Sequence, residues 1–116
     1  MRTDFVGATL EGHYGGGQAW VETYTSDGRL DYRERERHAV GNWHFRGPVF
    51  CTFYDRAHQD AFRGGCWIVI KTSPNCYEFF AAPPGSPSDA TERPAHWNAR
   101  GWRRSEPSTC QDRPSV

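Results

Sequence analysis

The 116 residues suffice for one domain, and 14 Lys and Arg against 14 Asp and Glu leave a formal net charge of zero. That balance speaks against nucleic acid, which selects a basic surplus, and against an anionic membrane surface. Five Trp, five Tyr and seven Phe stand beside only Leu10, Leu30, Ile68 and Ile70, with 12 Gly and 8 Pro, so the core is expected to be built from rings on strands rather than from aliphatic helices.

Met1 to Phe5 shows no apolar run behind a basic start, so no signal peptide is read there. No stretch approaches transmembrane length. Residues Ala8 to Tyr14 are expected as a first strand, turned by Gly15-Gly16-Gly17. The triplet lacks the Lys and Ser/Thr of a phosphate loop, which favours a turn. Gln18 to Thr25 is the second strand, with Trp20, Glu22 and Tyr24 on one face. Ser26-Asp27-Gly28-Arg29 then carries the Asp-Gly signal of a hairpin.

Leu30 to Arg37 is read as the third strand. Alternation places Leu30, Tyr32, Glu34 and Glu36 on one face and Asp31, Arg33, Arg35 and Arg37 on the other. Its charged end belongs at an edge or beyond the core. The alternative readings are an arginine row that grips an acidic ligand and a Glu34/Glu36 pair about 7 Å apart along the strand, a spacing that glycosidase carboxylates also use.

Ala39 to Arg46 is the fourth strand, in which Gly41 marks a bulge or a close backbone approach. Val49 to Asp55 is the fifth, with Val49, Cys51 and Phe53 opposite Phe50, Thr52 and Tyr54. Gly65 to Thr72, the most apolar stretch, is the sixth, and Cys76 to Ala82 the seventh. At Pro83 the composition shifts. Residues 83–116 read as a Pro-, Ser- and Arg-rich tail beyond a domain of residues 1–82, partly disordered or stapled by Cys110, with a short turn or helix between Ala95 and Trp102 docking Trp97 and Trp102. The expected fold is therefore all-β: an antiparallel meander of about seven strands curled into a small barrel or half-barrel.

The Leu10-x-Gly12 opening, the aromatic second strand, the Ser26-Asp27-Gly28 turn, Gly41-x-Trp43, and Cys51 and Cys66 in successive strands form a recognisable order. Over roughly residues 5–82 it resembles a bacterial family of small exported proteins with a domain of unknown function. The resemblance implies a calycin or lipocalin-like barrel and transfers no catalytic residue.

Cys51, Cys66, Cys76 and Cys110 include no C-x-x-C and fit no zinc motif, so disulfides in an oxidising compartment are expected. A meander sets the fifth and sixth strands side by side, which favours Cys51–Cys66; Cys76–Cys110 then staples the tail. The five His form no H-E-x-x-H and no i, i+4 pair, and no metal or other cofactor is read. His58 and Asp60 share a polar loop and are the candidates for a small hydrolase. Trp20, Tyr24, Tyr32, Trp43, Phe53 and Tyr77 are the candidates to line a barrel interior, either as a filled core or as a pocket for a small apolar ligand. The expected function is a non-enzymatic binding or interaction module of the bacterial envelope, periplasmic or secreted, that takes a small apolar ligand or a protein partner. An inhibitor of an envelope-directed hydrolase is the alternative by fold analogy.

Overall fold

The structure, a computed structural model, describes residues 1–55, 64–82 and 96–111. A one-turn helix, α1 (Arg2–Phe5), precedes eight strands: β1 (Thr9–Tyr14), β2 (Ala19–Tyr24), β3 (Arg29–Glu34), β4 (Arg37–Arg46), β5 (Val49–Tyr54), β6 (Gly64–Ser73), β7 (Cys76–Ala82) and β8 (Ala99–Arg103). Each strand pairs antiparallel with the next, and β8 returns to β1, which closes the barrel. Closure leaves no open edge on this small sheet.

Local chemistry sets several turns. Gly28 takes φ +87° between β2 and β3, where the Thr25 hydroxyl donates to Asp27 and the Arg29 amide donates to both side chains. In β4, Gly41 marks a close approach: a Cβ there would lie 2.0 Å from the Phe53 carbonyl oxygen.

The third strand is shorter than alternation suggests. β3 ends at Glu34, Arg35 and Glu36 form the turn, with Arg35 at φ +53°, and β4 begins at Arg37. The alternating charges are therefore a hairpin tip. Glu34 faces Arg37 across it, and Asp31 binds the Arg33 guanidinium and the His38 ring. Opposite charges in register stabilise the two-residue turn without an Asn-Gly or Asp-Gly signal. Neither a single-strand arginine row nor a Glu34/Glu36 pair on one strand face exists.

The second correction concerns the tail. The barrel does not end at residue 82, because Ala99–Arg103 supplies its eighth strand instead of a helical turn. Small residues explain why this strand escapes pattern reading. Ala99 and Gly101 are its buried positions, and a Cβ at Gly101 would lie 2.7 Å from the Trp20 ring. Downstream, Cys110 is bonded to Cys76. Asn75, 1% exposed, accepts from the Arg103 amide and donates toward the carbonyls of Arg103, Glu106 and Pro107. Cys51 and Cys66, directly opposite on β5 and β6, form the other disulfide. The proline-rich stretch 83–88 lies outside the described residues.

The two ends of the barrel differ. The β2–β3, β4–β5 and β6–β7 turns share the end that α1 fills. Phe5, fully buried, packs there against Tyr24, Phe45, Phe50, Tyr77 and Phe79. Asp4 accepts from Lys71 and from the Tyr77 hydroxyl, and Arg2 lies over the Trp43 ring. The other end carries the β1–β2 and β3–β4 turns and has no such helix among the described residues.

Candidate functional site

Between the Phe5 plug and this second end lies a cavity of about 50 Å³. Its wall combines Tyr14 of β1; Trp20, Glu22 and Tyr24 of β2; Tyr32 of β3; and Phe50, Thr52 and Tyr54 of β5. Trp67, Phe79 and Ala99 from the last three strands complete it. The space exceeds the share of one liquid water, about 30 Å³, so it admits a group of a few heavy atoms.

Glu22 is the one ionised-type side chain on the wall, and it is 6% exposed. Period-two alternation along β2 turns it inward with Trp20 and Tyr24. Its Oε1 accepts from the Tyr24 hydroxyl at 2.6 Å and its Oε2 from the Tyr54 hydroxyl at 2.9 Å. Burial pushes the Glu22 carboxyl up to about 7; the two phenol bonds pull the other way, and the like charge of Asp31 adds to the rise. Burial, then the Glu22 charge, drives the Tyr24 and Tyr54 hydroxyls above their ordinary range, so both remain donors at neutral pH.

A second phenol pair stands further along the wall. The Tyr14 and Tyr32 hydroxyls bond to each other, and Tyr32 donates to Glu34 at 2.9 Å. Burial pushes Tyr14 up to about 12, and burial followed by the bond to Tyr14 raises Tyr32. Two buried polar atoms on the cavity residues make no hydrogen bond of normal geometry among the described residues: the Trp20 indole Nε1 and the Thr52 Oγ1. The Thr52 hydroxyl is nonetheless near enough to Tyr54 to favour its ionised form slightly. The indole has no acceptor among the described residues, and a buried N–H without an acceptor costs about 1–3 kcal/mol.

Of the six rings expected inside, Trp20, Tyr24 and Tyr32 line the cavity. Trp43 and Tyr77 are buried at the plugged end, where Trp43 Nε1 donates to the Thr25 carbonyl and Tyr77 donates to Asp4. Phe53 is a correction: it sits on the outer wall, 47% exposed and stacked on His44. On β5 the inward set is Phe50, Thr52 and Tyr54, because Cys51 faces outward with Phe53 to meet Cys66. Sequence reasoning also passed over Tyr14, Glu22, Thr52, Tyr54 and Trp67. For Glu22 the signal was present, since it shares the Trp20/Tyr24 face.

Every cysteine is in a disulfide, which leaves no thiol for nucleophilic chemistry. Among the described residues no group of three His, Cys, Asp or Glu is placed to hold a metal ion, and no helix is long and apolar enough to cross a membrane. His58 and Asp60 lie outside the described residues. Comparison with known proteins found no matching family model, no matching curated protein and no matching solved structure.

Proposed function

We propose that this barrel is a small-ligand binding protein of an oxidising compartment, the bacterial periplasm or the cell exterior, with no chemistry of its own. One observation carries the reading: the Phe5 end is filled with rings, while the other end keeps a cavity lined by the buried carboxyl of Glu22 and by Trp20, whose buried indole N–H has no acceptor among the described residues. Side chains that only fill a core leave few voids and few orphaned polar groups, and here the two coincide at Trp20. A few polar groups converging among aromatic walls are the usual make-up of a ligand pocket. The two disulfides support the compartment, because such bonds persist where thiols are not kept reduced.

The reading is tested by titrating the oxidised protein with a library of fragments of two to four heavy atoms while following the indole N–H resonances by NMR. Saturable shifts at the Trp20 indole are expected, and Trp20→Phe removes that resonance and weakens the same fragments. Shifts confined to the exposed Phe53 face, or none at all, overturn it. A second reading, inhibition of an envelope-directed hydrolase, is favoured by that exposed Phe53, stacked on His44 beside Gly64 and Gly65. It requires Phe53→Ser to abolish inhibition with the cavity intact.

A further inference from the structure

Glu22 differs from the acids that are held in ion pairs. Asp4, Glu11, Asp55 and Glu78 each meet a Lys or Arg within 4 Å. Among the described residues the Glu22 carboxyl, buried at 6% exposure, meets only two neutral phenols. Among the described residues no Lys, Arg or His stands on the cavity wall. Each carboxylate oxygen has two acceptor directions, and Tyr24 and Tyr54 use one on each. The acid therefore keeps acceptor capacity that no described residue fills.

The rest of the wall has the same polarity. Tyr14, Trp20, Tyr32, Tyr54 and Trp67 line it with aromatic rings, side chains whose π systems attract a cation and repel an anion when it lies over their faces. Glu34, bonded to Tyr32, and Asp31 on the same strand are the next acids, each with basic side chains beside it: Arg37 across the hairpin from Glu34, and Arg33 and His38 on Asp31. The described wall residues around Glu22 are Tyr24 on its own strand, Tyr14 on β1, Tyr32 on β3, and Thr52 and Tyr54 on β5, none of them a cation; Asp31 acts on Glu22 through space, and the charge of Arg37 is felt at Tyr14. Burying a carboxylate without a counter-charge is costly, and a cationic guest removes that cost.

Resting on the ligand-binding reading above, we propose that the ligand is a small organic ammonium compound. Its cationic nitrogen docks against Glu22 within the ring of aromatic side chains, and an acceptor oxygen on the same ligand takes the Trp20 indole N–H. An anion is rejected by the carboxyl and the π faces. A neutral apolar guest leaves Glu22 without a counter-charge and the indole without an acceptor. The raised carboxyl agrees with this assignment, since it belongs to a site that lacks its positive partner.

The test pairs each ammonium probe with a neutral isostere by calorimetry on the oxidised protein at pH 7.5: ethanolamine with ethylene glycol, and methylammonium with methanol. Acetate serves as the anion. At least one ammonium probe is expected to bind tenfold or more tightly than its isostere, with acetate silent. Glu22→Gln is expected to bring the paired affinities to within twofold. Trp20→Phe keeps the charge preference but weakens ethanolamine more than methylammonium, which has no oxygen, and so provides a readout should the Gln variant not fold. Equal binding of isosteres and ammonium probes overturns the ammonium assignment and leaves the pocket standing. A pocket that takes neutral fragments in the NMR titration but no ammonium probe also overturns it. Binding of nothing in either experiment removes the pocket reading itself.

Discussion

At the scale of single residues, Glu22 has the clearest energetic signature. Its carboxyl titrates near 7 in the folded barrel against 4.5 as its ordinary value. Below pH 4.5 both states hold the proton and folding is not penalised. Between 4.5 and 7 the unfolded chain releases its proton while the folded one retains it, so stability falls as pH rises through that window and levels off above it. The span of the shift corresponds to about 3 kcal/mol. Asp4 and Glu11 act oppositely: hydrogen bonds from Lys71 and Tyr77, and from Arg104 and Trp102, hold them below their ordinary values. Their contribution is present above those values and is lost as acid protonates them. Urea denaturation across pH 3–8 is expected to show greatest stability in mildly acid solution, and Glu22→Gln is expected to flatten the decline between pH 4.5 and 7. A wild-type curve that rises through that interval contradicts the burial of this acid.

At the scale of elements, α1 acts through one side chain rather than through its own helicity, since a single turn has little stability in water. Phe5 fills the barrel end, and the Gly7 amide donates to the Tyr24 carbonyl to lead the chain into β1. Phe5→Ala removes a fully buried ring that touches five others. It is expected to cost about 3–5 kcal/mol, read as a fall in the urea midpoint with the slope unchanged. A loss below 1 kcal/mol would mean that α1 does not seat there in solution. The β3–β4 hairpin and β8 show why elements are harder to read than faces. The turn at Arg35 and Glu36 carries no Gly or Asn, and β8 presents Ala99 and Gly101 inward where a strand pattern calls for large apolar residues. In both places tertiary contacts, the Glu34–Arg37 register and the Trp20 ring against Gly101, override a weak local signal.

At the scale of the whole molecule, the disulfides carry a large share of the stability. Cys51–Cys66 spans 15 residues of sequence and Cys76–Cys110 spans 34, worth about 3 and 4 kcal/mol by loop-closure entropy. A domain of this size has about 5–15 kcal/mol in all. Replacing both Cys51 and Cys66 by Ser is expected to lower stability by about 3 kcal/mol in oxidised samples, and reduction of both bonds is expected to unfold much of the population at 37 °C, followed by near-UV circular dichroism. Unchanged spectra after full reduction would show that the ring core suffices.

Strand order, the all-β class, the Asp27-Gly28 hairpin and the Cys51–Cys66 neighbourhood were legible in the residues alone, because period-two patterning and turn chemistry are local properties. The candidate site was legible only in part. Trp20, Tyr24 and Tyr32 follow from alternation, but choosing the inner face of β5 was not possible locally, since Phe50, Thr52 and Tyr54 are no more apolar than Val49, Cys51 and Phe53. Only closure of the sheet decided which face looks inward, and with it that Glu22 is enclosed rather than wet. An acid on an alternating strand has the same sequence signal in both environments; desolvation, which gives it its character, exists only once eight strands and Phe5 have excluded the water.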